Sequence, residues 1–208
     1  MRDNFEIISL DLNFKKTTVV LFEESTHLPA NFAGNSITKE ILQPLPRSNY
    51  KKEKLLDQNV ETHFYVEPKI RKTIDEAFSS PVTIVHLSSL LIDYLYRTSQ
   101  DKLLVFTASK RIHIVLSNQS GLRFYNAYPF TSPEDFLYWI LAVVEMHQID
   151  INRLPVILSG RIGKEGPIPD LLKNYIPDLS YPPLAHWKTD LELDKYMYLD
   201  LYLANLCV

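Results

Sequence analysis

The sequence predicts an α/β protein of two lobes, each built on a strand meander followed by crossover helices, with the first lobe short or incomplete. Three observations carry this. Residues 101–160 read as three short strands joined by tight turns, then an apolar helix, then a fourth strand ending in Leu158-Ser159-Gly160. A weaker start of the same kind occupies residues 5–22. The longest apolar run, 136–144, is far short of the roughly twenty residues a membrane helix needs, and so reads as a buried crossover helix. The lobes are expected at 1–85 and 86–208.

In chain order, residues 5–11 alternate and are rich in strand formers, and residues 17–22 carry β-branched side chains suited to a pleated surface. Asn13-Phe14-Lys15-Lys16 is the turn between them. Residues 25–33 read as a third strand. Pro44-Leu45-Pro46 breaks regular structure, and Arg47, Lys51, Lys52 and Lys54 then mark residues 44–58 as a solvated loop or a short polar helix. Residues 60–66 are a strand. Pro68 suits the first turn of a helix reaching about Phe78, with Ile70 and Ile74 on one face. A short buried strand at 81–86 and a helix at 88–97 lead to the second meander.

That meander comprises strands at 103–108, 112–117 and 122–128, turning at Ser109-Lys110-Arg111 and Gln119-Ser120-Gly121. Ser132-Pro133-Glu134-Asp135 is a helix start: the serine caps, the proline suits the first position, and the acids suit the positive end of the helix dipole. Residues 154–158 are a continuous apolar run, as in a parallel strand buried on both faces. A helix at 169–175, an edge strand at 179–181 and a C-terminal helix at 190–206, capped by Thr189, complete the order βββαβαβα. Parallel steps need crossover helices, and this order supplies them.

Composition narrows the function. A net charge of −3 argues against general nucleic-acid binding, which needs concentrated positive charge, and the basic cluster from Arg47 to Lys54 reads as a solvated face before a nucleic-acid contact. The one cysteine, Cys207, permits no intrachain disulfide and suits a reducing, cytoplasmic setting, with Cys207 itself a small core residue. No signal-like or membrane-spanning run is evident, so no membrane partner is expected. The six histidines show no short metal-binding spacing, so no metal site is expected. There is no Gly-x-Ser-x-Gly elbow. Glycine is scarce: five residues, where average usage of roughly 7% would give about fifteen. A chain that cradles phosphates on its backbone amides usually needs glycine where it approaches them.

Residues 7–22 resemble the first phosphate hairpin of actin-like ATPases, sugar kinases and ribonuclease H-like folds, with Asp11 ending the first strand and Thr17-Thr18-Val19-Val20 in the second. Residues 156–172 resemble their adenosine-binding segment, with Ser159-Gly160 leading through Gly163 to Leu171 and Leu172. More specifically, residues 60–208, through Tyr125-Asn126-Ala127-Tyr128-Pro129-Phe130, the Ser132-to-Tyr138 segment, Leu158-Ser159-Gly160 and the ending Tyr202-Leu203-Ala204-Asn205-Leu206-Cys207, resemble an uncharacterised bacteroidete family, domain of unknown function 3822, with an actin-like ATPase fold. The resemblance implies that fold and brings no known activity.

Against that pattern the phosphate turns are altered. The glycine after the first aspartate is replaced by Asn13 and bulky Phe14; the second hairpin, Phe106-Thr107-Ala108-Ser109-Lys110, has neither aspartate nor glycine; Arg161 stands where a second glycine is usual. The candidate nucleotide-binding residues are therefore Asp11, Lys15, Lys16, Ser159, Gly160 and Arg161, each with a plainer role open to it. Asp11 would accept turn amides, the lysines would be solvated hairpin tips along with Lys110 and Arg111, and Gly160 would serve a strand-to-helix turn. The expectation is a non-catalytic scaffold or protein-binding module, a pseudoenzyme with no catalytic residue and no cofactor. The alternative is an ATPase or kinase-like enzyme using ATP and magnesium around Asp11; a ribonuclease H-type nuclease would need further carboxylates at a metal. The partner is expected to be a protein. Of Tyr196, Tyr198, Tyr202 and Trp187, which cannot all face one side of a helix, at least half are expected to pack in the core and the rest to offer a contact surface, and exposed apolar area on the C-terminal helix would favour a homodimer.

Overall fold

The computed structural model describes residues 17–22, 25–29, 50–55, 60–78, 80–96, 101–184 and 194–206. The expectations for 5–11, the turn at 13–16, Thr189 and Cys207 fall outside these residues. The chain divides into two compact units, 1–93 with 203–208, and 94–202.

In the first unit, β1 (Thr17–Leu21) pairs in parallel with β5 (Val82–His86), from Thr17 opposite Val82 to Leu21 opposite His86. A separate antiparallel sheet has the order β2-β4-β3, formed by Ser25–Pro29, Val60–Tyr65 and Tyr50–Leu55. The helix α1 (Pro68–Ala77) buries Ile70 and Ile74, one turn apart, against Val19, Leu21, Phe64 and Ile84. Its outer face carries the exposed ion pairs Arg71–Asp75 and Lys72–Glu76. A second helix, α2 (Leu87–Tyr96), follows β5 directly.

The strand β3 corrects the reading of residues 44–58 as loop or polar helix over 50–55. Its lysines are poor strand formers, but alternation sends Lys52 and Lys54 to solvent while Leu55 is buried and Glu53 is half-buried. Pairing with β4 along its whole length overrides local propensity.

The second unit follows the expected order. A five-stranded sheet runs β10-β9-β6-β7-β8: Leu179–Ser180, Val156–Gly160, Lys102–Ala108, Arg111–Asn118 and Gly121–Pro129. The pairs β6–β7 and β7–β8 are antiparallel; β9 pairs in parallel with both β6 and β10. One face packs on α3 (Pro133–Met146) through Phe136, Ile140 and Val143, and on α4 (Pro167–Lys173) through Leu172. Leu104, Phe106 and Val115, on the other face, are also buried, which is why β6 and β7 read as nearly unbroken apolar runs. Ser132 caps α3 as anticipated, its hydroxyl accepting the Asp135 N–H at 3.1 Å. The C-terminal segment departs from a single helix: a 3-10 turn at Lys195–Tyr198 precedes α5 (Leu199–Leu206).

The strand β8, at the edge among the described strands, has the outward backbone groups near its C-terminal end bonded to side chains. The Phe130 N–H donates to the Lys110 carbonyl, which makes Arg111 and Pro129 a non-hydrogen-bonded pair and turns the Ala127 backbone groups, two residues back, away from β7. Asn126 Oδ1 accepts the Ala127 N–H at 2.8 Å, and the Arg111 guanidinium donates to the Ala127 carbonyl at 3.2 Å. Pro129 has no N–H to offer, and its carbonyl accepts from Trp139 Nε1 at 3.0 Å. Unpaired edges invite pairing with another chain, and these contacts oppose it. The double substitution Arg111→Ala with Asn126→Ala is accordingly expected to increase concentration-dependent self-association, measured by sedimentation velocity.

Candidate functional site

Ser159, Gly160 and Arg161 form the C-terminal end of β9 and the residue beyond it. Gly160 has φ +92°, and a Cβ there would stand 2.2 Å from the Thr107 carbonyl oxygen and 2.5 Å from its nitrogen. The glycine is thus demanded by the neighbouring strand β6, whose Thr107 pairs with it in register. The Arg161 N–H donates to the same Thr107 carbonyl at 2.9 Å, extending the parallel ladder by one bond.

The two flanking side chains reach the segment at 195–200. Ser159 is fully buried, and its hydroxyl donates to the Tyr196 carbonyl at 2.6 Å. The Arg161 guanidinium donates to the Met197 carbonyl, stands 4.4 Å from the centre of the Tyr198 ring and lies 3.5 Å from Asp200, whose side chain is buried. Lys164 adds a second cation, 5.1 Å from the Tyr196 ring and 5.6 Å from that of Tyr181. The two tyrosine rings meet edge to face at 4.7 Å. A cation over an aromatic face gains about 0.5–2 kcal/mol depending on desolvation. Ser159, Gly160 and Arg161 are thereby all engaged by the chain itself.

Asp11, Lys15 and Lys16 lie outside the described residues. The turn corresponding to the second phosphate hairpin is Ser109-Lys110, exposed, with Ser109 at φ 53°. Asp101 sits at the far end of β6, where it accepts the Gln119 N–H at 3.2 Å. Among the described residues no group of histidine, cysteine, aspartate or glutamate side chains is arranged to hold a metal ion.

A second polar cluster, missed by reading spacings along the chain, lies in the first unit. Ser88 Oγ is 2.8 Å from His27 Nε2, 2.6 Å from His86 Nδ1 and 3.2 Å from Ser25 Oγ. Glu53 accepts the His86 N–H at 3.2 and 3.3 Å and the Ser89 hydroxyl. His63 Nε2 is 3.2 Å from Glu61, which also meets Lys52 at 3.1 Å. Burial holds the His27 imidazole down to about 3, reinforced by His86 and His63; burial likewise lowers His63. Burial raises the Glu53 carboxyl, against hydrogen bonds from Ser89 and His86 and the charge of Lys51. A serine beside a histidine suggests a nucleophile and its base. Here Ser88 is wholly buried and its hydroxyl is shared among three side chains, so it works as a structural junction. The signal that would have found it is the sheet row His27–Thr62–Glu53, legible only once β3 is a strand.

The model of the family described as Protein of unknown function (DUF3822) matches residues 5–179. The chain belongs to this family. The match reaches further into the first half than the motifs noted above and stops before the ending at 202–207. No curated protein matches this DUF3822 member. Among solved structures it is similar to a Bacteroides thetaiotaomicron protein with actin-like ATPase fold and unknown function, at 17% identity and a TM-score of 0.72, over 93% of this chain and 74% of that one. It is also similar to a chain of the PilM–PilN type IV pilus biogenesis complex, at 10% identity and a TM-score of 0.56, over 91% and 78%. These likenesses establish an actin-like ATPase fold. No described helix is long and apolar enough to cross a membrane.

Substitutions at two positions check the geometry at the end of β9. Gly160→Ala forces a Cβ into the β6 backbone at a positive φ and is expected to destabilise the chain by about 3 kcal/mol or more, read from urea unfolding. Arg161→Ala removes a carbonyl donor, a ring contact and a partner of the buried Asp200, and should cost about 2–3 kcal/mol. Arg161→Lys, which keeps the charge without the fork, should recover only part of that loss.

Proposed function

We propose that this DUF3822 chain is a non-catalytic module that uses an actin-like fold as a scaffold for binding another protein. The observation that carries this reading is the engagement of Arg161. The position at which the fold's nucleotide binders would accept an adenosine holds a guanidinium packed on Tyr198 and bonded to Met197 of the same chain. Ser159 points to the Tyr196 carbonyl, and Gly160 is consumed by the approach of β6. The β6–β7 turn offers an exposed serine and lysine in place of an aspartate and a glycine, so it lacks both a metal-linked carboxylate and a bare amide for phosphate. A neighbour of the same fold was solved as part of the PilM–PilN complex, which supports a role inside a protein assembly. The single cysteine and the absence of a long apolar run in the sequence favour a reducing, cytoplasmic setting.

Titration calorimetry with ATP and magnesium is expected to show no saturable heat at micromolar to tens of micromolar protein. Saturable binding would overturn the reading in favour of a nucleotide enzyme built around Asp11 with Lys15 or Lys16. In that case the binding, and any phosphate release, should disappear in Asp11→Ala.

A further inference from the structure

The junction of β5 and α2 carries a polar arrangement that binding a partner or a nucleotide does not use. His86 is the residue immediately before α2. Its Nδ1 lies 3.1 Å from the backbone nitrogen of Ser88 and accepts that N–H. A ring nitrogen that accepts an N–H holds a lone pair and no proton, so in this fold His86 is uncharged and caps the helix with its imidazole. The Ser88 hydroxyl, 2.6 Å from the same nitrogen, must donate to it. With its one hydrogen committed, Ser88 Oγ accepts from His27 Nε2 at 2.8 Å and from Ser25 at 3.2 Å. The chain of bonds therefore has one direction, from β2 through Ser88 to His86, and it ties the start of α2 to the three-stranded sheet.

We propose that the His27–Ser88–His86 junction is an acid-operated release, which frees the start of α2 from the β2-β4-β3 sheet when its imidazoles take up protons. A proton on His86 Nδ1 would face the Ser88 N–H and the Ser88 hydroxyl hydrogen. It would remove two acceptor contacts together and place a positive charge at the positive end of the helix dipole. A proton on His27 would put a second positive charge beside it in a buried site. The groups facing the junction are Glu53 and Lys51 from β3, and His63 and Glu61 from β4, with Lys52 on Glu61.

His27 and His63 bind protons more weakly folded than unfolded. The stability they lend is full above an unfolded value of about 6.5 and is lost as pH falls below it. Glu53 is shifted upward by burial, so its folded form holds a proton more readily and it opposes this loss on the acid side. His27, held down to about 3, carries the largest shift of the three, and the net change is a loosening of the first unit toward acid pH.

Amide hydrogen exchange on the full chain tests this, with rates corrected for the intrinsic effect of pH. Protection of amides in β5 and α2 should fall by about tenfold per pH unit below about pH 6.5 for each proton taken up on opening, while amides of β6 and β7 keep theirs. His86→Asn with His27→Gln keeps a neutral cap and a neutral donor, and should flatten that dependence; Glu53→Gln should steepen it. Protection that is independent of pH in the parent, or that falls as steeply in the double variant, would overturn the proposal. If the double variant does not fold, imidazole titration in the parent decides: His86 gaining a proton near pH 6.5 with the α2 amides undisturbed would equally overturn it.

Discussion

The parallel pairing of β9 with β6 at Thr107 and Gly160 is the constraint on which the C-terminal half of the second unit depends. Two strands approach so closely there that one of them has to lack a Cβ. The approach directs the Arg161 N–H onto the Thr107 carbonyl and so fixes where the Arg161 side chain leaves the sheet. From that point the guanidinium reaches Met197, Tyr198 and Asp200, and Ser159 reaches Tyr196. The 3-10 turn at Lys195–Tyr198 has no side-chain cap of its own. It is held by groups projecting from the end of β9. The glycine at this position lets one strand approach another.

The two units solve burial differently. The second encloses a sheet apolar on both faces, so its order is set by hydrophobic contact and is legible as unbroken runs. The first buries His63, His86, Glu61 and Ser88 as well as Phe64 and Ile84. Buried polar groups are costly unless bonded, and a network that bonds them also selects one arrangement. That is the physical reason Glu53 can draw a lysine-rich segment into a sheet: its carboxylate takes the His86 N–H and the Ser89 hydroxyl at the start of α2.

What could be read from the sequence follows the same division. The meander at 101–130, the Ser132 cap and the apolar crossover helix were legible because period and capping chemistry are local signals. Strand β9 begins at Val156, two residues later than the apolar run at 154–158 suggests, because Leu154 is buried outside the ladder. Strand β3 was illegible because its partner, β4, and its reason for burial, the start of α2, are both distant in the chain. Gly160 was legible as a glycine with a purpose, but the purpose depends on Thr107, some fifty residues earlier. The engagement of Arg161 by Met197 and Tyr198 left no sequence signal, since an arginine after a strand-end glycine looks the same whether it meets a ligand or its own chain.

The bonding along β8 bears on how the proposed module would meet a partner. Adding a strand to an open sheet edge is the cheapest way for a protein to capture an extended peptide, because the backbone supplies the bonds. On β8 the outward groups of Ala127 and the Pro129 carbonyl are already bonded to Asn126, Arg111 and Trp139, and Pro129 has no hydrogen to donate. A peptide would have to break those bonds to gain its own, so little net free energy remains to drive capture along that stretch. Trp139 is itself stacked on Tyr128 at 4.1 Å, which anchors one of the blocking groups to the strand it protects. At 127–129 backbone pairing alone therefore offers a partner little, and side-chain contacts would have to supply the rest.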